Sequence, residues 1–307
     1  MKSLKPFMIV SRANIQIASL PTASLGIALA ARTWTEIVQC SVLLYILLFF
    51  VLLTFSCQIN CLNDMEVDKK YKIYMSSAVQ SLGILKLKRI MALEIGLALG
   101  LIIALAVQEK NWLYLLAIGG LVIGTAYSAP PLRIKKRGIA SPLPVFFGLY
   151  FLPIVAGWFI IRHCVSVFIL LYGIGYALIM QGITFINTCE DYDEDKTSGI
   201  TTFVHILGIR KTLLLGSVFV LCGGFLIIYL YLSQRIKMHM IRMPFLPILL
   251  ILFILFIFSI LGISKKLYFI SRSANPFFFS KMEAAHMPGW FLTTRYPLIF
   301  LALISIG

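Results

Sequence analysis

Two short acidic clusters are the part of this sequence best suited to chemistry. The chain has 307 residues but only twelve Asp and Glu, and eight of the twelve lie within residues 64–68 and 190–195. Both clusters follow the pattern N-x-x-x-D-x-x-x-D-K, and the second copy begins 127 residues after the first. Acids that merely keep a surface soluble explain neither this repeat nor the scarcity of acids elsewhere. The repeated residues are Asn60, Asp64, Asp68 and Lys69 in the first cluster and Asn187, Asp191, Asp195 and Lys196 in the second.

Each cluster has the ligand types and the spacing of a magnesium site. Positions four residues apart share one face of a helix, so we expect the Asn and both Asp of each cluster to project together. Like charges stacked in this way repel, and negative charge at a helix C-terminus adds to the cost. A divalent cation removes both penalties, and Mg2+ takes one or two carboxylates while waters and phosphate oxygens complete its shell. The two clusters therefore predict two Mg2+ ions that bind a diphosphate.

A basic loop lies between the clusters, at residues 127–138 with the sequence YSAPPLRIKKRG. Its two adjacent prolines end the preceding helix. In an extended segment Arg133 and Lys135 would project the same way and could place two cations over a diphosphate. Cations fixed there would stabilise the negative charge that develops when the C–O bond of an allylic diphosphate breaks. The alternative interpretation is a topogenic loop that only sets the orientation of the chain in a membrane.

Long apolar segments must position these residues. Hydrophobic residues make up 60% of the chain and charged residues 13%, a balance outside that of soluble domains. A segment of about 20 apolar residues spans the hydrocarbon core of a bilayer, where such segments must be helical. The sequence therefore predicts an all-α integral membrane protein, with residues 1–307 forming one domain and one bundle of nine transmembrane helices. The predicted spans are centred on 14–31, 38–58, 90–107, 111–127, 143–161, 165–186, 212–232, 245–263 and 290–306.

The distribution of Lys and Arg predicts which side of the cell membrane holds the clusters. With nine spans, the N-terminus and the loops after spans 2, 4, 6 and 8 share one side and carry 20 Lys and Arg, against 6 on the other side. The positive-inside rule places the first side, and with it both clusters, in the cytoplasm. Anionic lipid and a polyanionic substrate account for the net charge of +15 without a nucleic acid partner. Because the clusters end spans 2 and 6, they also predict two weak repeats, over about 1–127 and 128–263.

Over nearly its whole length the chain resembles the UbiA superfamily of intramembrane prenyltransferases. The resemblance implies two Mg2+ ions that bind an isoprenyl diphosphate, which ionises to an allylic cation, releases diphosphate and passes its polyprenyl group to an acceptor. Families of this kind use aromatic quinone precursors, tetrapyrroles and glycerophosphate lipid precursors as acceptors. The motifs that carry the resemblance are Asn60-x-x-x-Asp64-x-x-x-Asp68, residues 127–138, and Asp191-x-x-x-Asp195-x-x-x-Gly199 followed by Thr201.

The resemblance also implies roles for the residues of these motifs. Metal binding is implied for Asn60, Asp64, Asp68, Asp191 and Asp195. Catalysis is implied for the same four aspartates and for Tyr127 near the reacting carbon, and diphosphate binding for Asn60, Arg133 and Lys135. The internal repeat adds Lys69, Lys196 and Asn187 as further candidates for diphosphate binding.

The chain departs from the family pattern at two places, and one rival function remains to be weighed. Many members have Asp directly after the first Asn, where this chain has Cys61. Many also have an Arg-Pro pair in the next loop, where Lys70 or Lys72 could supply the missing cation here. The rival function is a multi-span transporter with acidic cation-binding clusters. Transporter acids typically lie near the bilayer midplane, so the position of these acids at helix ends favours the enzyme.

Overall fold

The computed structural model describes residues 4–109, 113–237, 246–304 and 306, and its architecture is helical. Within these residues there is no β-strand, and a single isolated bridge joins Arg137 to Thr201. The predicted all-α fold is therefore confirmed. The helices are α1 (Leu4–Val10), α2 (Ala13–Ala30), α3 (Trp34–Ile37), α4 (Cys40–Tyr71), α5 (Ile73–Leu82), α6 (Ile84–Glu109), α7 (Leu113–Ser128), α8 (Leu152–Arg162), α9 (Val167–Glu190), α10 (Tyr192–Thr197), α11 (Phe203–Leu207), α12 (Ile209–Lys237), α13 (Leu246–Arg272), α14 (Pro276–Ala284) and α15 (Met287–Leu303).

Seven helical segments in the described part of the chain are long and apolar enough to cross a membrane. They coincide with seven of the nine predicted spans, and their number confirms a multi-pass membrane protein. The segments are Ala13–Ala30, Cys40–Tyr71, Ile84–Gln108, Gly138–Arg162, Val167–Glu190, Ile209–Ser233 and Pro247–Arg272.

The other two predicted spans, 111–127 and 290–306, fall on shorter helices. These helices, α7 and α15, have 16 and 17 residues. At 1.5 Å per residue their lengths are about 24 and 26 Å, somewhat less than the ~30 Å hydrocarbon core. A bundle of nine spans therefore stays a prediction. Residues 111–112, 245 and 305 of the predicted spans lie outside the described residues.

The first acidic cluster lies near the C-terminal end of a helix longer than a bilayer is thick. The helix α4 has 32 residues and measures about 48 Å at 1.5 Å per residue. Its apolar part ends well before its last residue, so its final turns extend beyond the hydrocarbon region. Those turns carry Asn60, Asp64 and Asp68 at the four-residue spacing that places side chains on one helix face. Lys72 ends the helix with its backbone N–H bonded to the Asp68 carbonyl oxygen.

The second acidic cluster follows α9, which lies at the centre of the bundle with most of its residues buried. Gly182 of α9 lies against Gly216 of α12 so closely that a β-carbon on Gly182 would be 2.6 Å from the Gly216 carbonyl oxygen. Glycines allow this approach because no side chain separates the two backbones. A hydrogen bond of 2.7 Å between the Thr22 and Tyr176 hydroxyls joins α9 to α2 as well. The helix α9 is therefore held against two neighbouring helices, α12 and α2.

The second cluster does not lie on one continuous helix, contrary to the sequence expectation. The helix α9 ends at Glu190, α10 begins at Tyr192, and Asp191 between them has φ −79° and ψ 3°. Hydrogen bonds still continue through the break, from Asp191 N to Asn187 O at 3.1 Å and from Asp195 N to Asp191 O at 2.9 Å. The physical reason for the break is charge, because five acids within six residues repel one another at a helix C-terminus.

Candidate active site

A cavity of about 610 Å³ lies where the ends of α4, α7, α9 and α10 meet. Both acidic clusters line it, so the chain brings the two sequence motifs to one place. Most of the residues that the sequence singled out lie in its wall. They are Asn60, Asp64, Asp68, Tyr127, Lys135, Asn187, Asp191 and Asp195.

The first cluster binds the cations of the basic loop. The Lys135 ammonium donates to Asp64 Oδ2 and, at 3.0 Å, to Asn60 Oδ1. Arg133 Nη2 donates to Asp64 Oδ1 at 3.0 Å from the other side. The Ser128 hydroxyl, at the end of α7, donates to Asn60 Oδ1 at 2.8 Å. Two cations therefore neutralise Asp64, one of the predicted metal ligands.

The basic loop is a compact turn, and the expectation of an extended segment is wrong. Ile134–Lys136 forms a 3-10 turn, and Arg133 before it has φ 38°. After the turn, the Gly138 N–H donates to the Thr201 carbonyl oxygen at 2.8 Å, which attaches the loop to the segment that follows α10. The loop is thus attached to Thr201 at one end and paired with Asp64 at the other, and these two attachments bend the chain between them. Both cations still reach the same carboxylate, because the turn aligns them.

A lysine that follows the first cluster reaches the second. Lys72 places its ammonium 3.1 Å from Asp191 Oδ1 and 3.2 Å from Glu194 Oε1. Burial disfavours its charge, but the two carboxylates outweigh burial and raise the pKa of Lys72 above its ordinary value. Of the two lysines considered for the missing family cation, Lys72 lines the cavity. Lys70 instead lies over the exposed ring of Tyr71, 5.0 Å from its centroid.

Asp68 and Asp195 differ from the other two motif aspartates because neither forms an ion pair in the part of the chain that the structure describes. Asp68 is nevertheless only 5% exposed. Burial, followed by the negative charges of Asp191 and Glu194, raises the pKa of Asp195 to about 7. Each cluster therefore combines one aspartate bound to cations with one whose carboxylate is available to another ligand.

The site suits Mg2+ in the company of a ligand that brings further oxygens. In the described ranges, no three Asp, Glu, His or Cys side chains gather closely enough to hold a metal ion. Mg2+ does not require such a group, because it commonly takes one or two carboxylates and completes its octahedral shell with water and phosphate oxygens. Asp68 and Asp195 line the cavity with hard oxygen donors of the required type. A divalent metal thus fits here when an anionic oxygen ligand accompanies it.

Two lysines proposed from the internal repeat lie away from the cavity wall. Lys69 pairs with Glu66 at 2.7 Å, and their side chains are 44% and 73% exposed. Lys196 lies on the surface with its ammonium 6.0 Å from the centre of the Tyr192 ring. Neither lysine is therefore placed to contact a diphosphate in the cavity as it stands.

The structure also brings to the cavity residues that the motifs do not contain. Arg12, between α1 and α2, lines the cavity, and its buried Nε has no hydrogen-bond partner in the described part of the chain. Gln181 and Thr184 of α9 line the cavity as well. In the sequence, Arg12 is one of the N-terminal charges that indicate topology and belongs to no motif. Gln181 was not predicted, although a polar residue inside an apolar run is a recognisable signal of function.

Known proteins are similar to this chain in sequence and in fold. The 1,4-dihydroxy-2-naphthoate octaprenyltransferase of Bacillus subtilis (strain 168) is 24% identical over 231 residues, which cover 72% of this chain and 70% of that protein. A UbiA homolog from Archaeoglobus fulgidus bound to GPP and Mg2+ has a TM-score of 0.65 at 16% identity and covers 96% of this chain and 99% of its own. The structure of digeranylgeranylglyceryl phosphate synthase has a TM-score of 0.63 at 17% identity and covers 99% of both chains.

The family itself matches most of the chain. Residues 19–281 match the UbiA prenyltransferase family, and this range contains both acidic clusters and the basic loop. The resemblance drawn from the sequence motifs is therefore confirmed, and an enzyme is favoured over a transporter. By this match over more than half of its length, the chain belongs to the UbiA prenyltransferase family.

Proposed function

We propose that this chain transfers the isoprenyl group of an isoprenyl diphosphate to an acceptor, with release of diphosphate and with two Mg2+ ions as cofactors. The observation that carries the proposal is one cavity lined by both acidic clusters and by the cations Lys72 and Lys135. Metal-binding carboxylates beside fixed cations are complementary to a diphosphate. The donor class is supported by the Archaeoglobus fulgidus homolog, whose structures include one bound to GPP and Mg2+ and one bound to DMAPP and Mg2+.

The metal ligands in this proposal come from both clusters. Asn60, Asp64 and Asp68 of α4 would hold one Mg2+ ion, and Asp191 and Asp195 would hold the other. Bound Mg2+ supplies positive charge that stabilises the diphosphate as a leaving group. Asp68 and Asp195 form no ion pair with any described residue, so their carboxylates would be the first points of attachment.

Other side chains would act on the donor directly. Lys135 and Arg133 lie beside Asp64, where they would stabilise the charge that develops on the departing diphosphate. The ring of Tyr127 lines the same cavity and would stabilise an allylic cation through its π face. Asn187 would donate its side-chain amide to a diphosphate oxygen. Lys135, Tyr127 and Asn187 line the cavity, and Arg133 reaches the site through its ion pair with Asp64.

The acceptor that we propose first is an aromatic quinone precursor. It is supported by the Bacillus subtilis relative, which is named a 1,4-dihydroxy-2-naphthoate octaprenyltransferase. A glycerophosphate lipid precursor is the second candidate, because digeranylgeranylglyceryl phosphate synthase has a similar structure. A tetrapyrrole is the third candidate.

The proposal also includes the arrangement of the chain in the membrane. We place the N-terminus and the cavity on the cytoplasmic side of a nine-span protein in the cell membrane, because Lys and Arg are concentrated on that side. The chain would form one domain that contains two weak repeats. Each repeat would contain an apolar helix followed by an acidic cluster.

The test is prenyl transfer by the purified protein. Radiolabelled geranylgeranyl diphosphate is incubated with 1,4-dihydroxy-2-naphthoate or with geranylgeranylglyceryl phosphate, with Mg2+ or with EDTA, and both diphosphate and labelled product are measured. We expect one labelled product and an equal amount of diphosphate, both lost in EDTA. Absence of product and of diphosphate release with Mg2+ and every acceptor would contradict the proposal and favour the transporter.

The pH dependence of Mg2+ binding tests the role of Asp195, whose pKa is raised to about 7. The pKa of Asp195 in the folded protein lies above that of an aspartate in the unfolded chain, so protonation of Asp195 stabilises the folded metal-free protein. This stabilisation is lost as the pH rises through about 7. Mg2+ must displace the same proton. One competing proton should weaken Mg2+ binding about tenfold when the pH falls from 8 to 6. Calorimetric titration at both pH values measures the effect, and equal affinities would contradict it.

A further inference from the structure

Two lysines from outside the acidic clusters each pair with an aspartate inside one of them. Lys72 directly follows the first cluster in the sequence but pairs with Asp191 and Glu194 of the second. Lys135 lies in the loop after α7 and pairs with Asp64 of the first. The paired aspartates occupy the same position of the repeated motif, while Asp68 and Asp195 occupy the other position and have no cation partner among the described residues.

Each of these two lysines occupies a carboxylate that would otherwise be available to a metal ion. An ammonium and a Mg2+ ion both require the negative charge and the lone pairs of the same carboxylate oxygen, so they compete for it. The side chains of Lys135 and Asp64 are only 10% and 14% exposed. Removing a cation from a carboxylate in such a site leaves the carboxylate charge uncompensated, which is costly. Mg2+ alone must therefore bind against these ion pairs.

A diphosphate changes this balance because it offers the lysines another anion. Its oxygens accept charge-assisted hydrogen bonds from lysine ammonium groups as readily as a carboxylate does. Both lysines line the cavity, so each can turn from a carboxylate toward a ligand inside it. When both lysines turn away, Asp191 and the Asp64 oxygen that Lys135 releases would become available to Mg2+, while the other Asp64 oxygen stays paired with Arg133. Phosphate oxygens would complete the metal shell.

We propose that Lys72 and Lys135 form a lysine clasp that holds Asp191 and Asp64 away from Mg2+ until the donor's diphosphate takes up both lysines. The inference rests on the proposed function, since it assumes that a diphosphate enters this cavity. Its consequence is that metal and donor bind cooperatively. By thermodynamic linkage the donor raises the Mg2+ affinity by the same factor by which Mg2+ raises the donor affinity.

The clasp is tested by titrating the purified full-length protein with Mg2+, in the absence and presence of the unreactive analogue geranyl thiolodiphosphate. In the wild type we expect the analogue to raise the Mg2+ affinity at least about tenfold, within the usual range of coupling between two ligands. In Lys72→Met, Mg2+ alone should bind more tightly than to the wild type, because its competitor is gone. At saturating Mg2+ the analogue should bind to Lys72→Met more weakly than to the wild type. The factor by which the analogue raises the Mg2+ affinity should therefore be smaller in this variant. Calorimetry measures all of these affinities without turnover.

Three variants separate the clasp from a general effect of charge. Lys70→Met removes a nearby lysine that is exposed and outside the cavity wall, and it should leave the coupling unchanged. Lys72→Arg should retain the coupling, and Lys72→Gln should reproduce the loss if the methionine variant fails to fold. Unchanged or weaker binding of Mg2+ alone to the Lys72 variants, or undiminished coupling in them, would overturn the clasp.

The clasp and the proposed function can fail independently. Cooperative binding that is lost with Lys72, in a protein that forms no prenylated product, would leave the clasp standing and overturn the proposed function. Prenyl transfer by a protein that binds Mg2+ and the analogue independently would support the proposed function and overturn the clasp.

Discussion

Replacing Asp195 with asparagine should reduce prenyl transfer at least about 100-fold, more than the roughly 10- to 100-fold typical of residues that only support a metal ligand. The carboxylate lines the cavity, and no cation among the described residues neutralises it. Asparagine keeps the size of the side chain and removes the charge that attracts Mg2+. Product formation from radiolabelled geranylgeranyl diphosphate measures the loss, and size-exclusion chromatography verifies that the variant is folded. The equivalent variant Asp68→Asn should behave in the same way.

The matched control for this prediction lies two residues away. Asp193 belongs to the same short helix, α10, but its side chain is exposed and lies outside the cavity wall. Asp193→Asn removes the same charge from the same cluster and should leave turnover near that of the wild type. Comparable losses in both variants would mean that the total charge of the cluster matters, and that Asp195 has no special place in the site.

Replacing Lys135 with methionine should raise the KM for the isoprenyl diphosphate while the KM for the acceptor stays near that of the wild type. The lost hydrogen bond to a charged group is worth about 1.5–3 kcal/mol, which corresponds to roughly a 10- to 150-fold effect. Lys135 also holds Asn60 and Asp64 in place, so a fall in kcat is expected as well. Steady-state rates at varied donor and at varied acceptor concentrations separate these effects.

Lys136 is the neighbouring residue that tests the specificity of this result. It carries the same charge in the same 3-10 turn but does not line the cavity. Lys136→Met should therefore change neither KM by more than about twofold, as expected for a surface substitution. An unchanged KM for the donor in Lys135→Met would mean that the loop serves only to set the orientation of the chain in the membrane.

Some features of the site could be predicted because they depend on residue type and local spacing. Mg2+ requires oxygen ligands, so eight acids in two short clusters predicted a metal site, and the structure brings both clusters to the wall of one cavity. A four-residue period describes one face of a helix, and Asn60, Asp64 and Asp68 on α4 all line the cavity. For the second cluster the expected continuous helix was wrong, because periodicity does not register the repulsion that breaks the helix at Asp191, although Asn187, Asp191 and Asp195 still line the cavity.

The repeat also predicted Lys69 as a contact of the diphosphate, and the structure places this lysine outside the cavity wall. Lys69 follows Asp68 directly, but each step along an α-helix turns the side chain by about 100°. With Asp68 in the cavity wall, Lys69 therefore points elsewhere and pairs with Glu66. Adjacency in the sequence is a poor guide to adjacency in space on a helix.

What the sequence determined by itself was the set of apolar helices, the acidic ends of two of them and the family to which the motifs belong. These follow from composition and short-range periodicity, which act before the chain is folded. The tertiary structure alone decided which cation faces which carboxylate. Lys72 and Asp191 are 119 positions apart, and Lys135 and Asp64 are 71 positions apart. Contacts over such separations depend on how whole helices pack, and packing is what brings one cation-bound and one cation-free aspartate from each cluster into a single cavity.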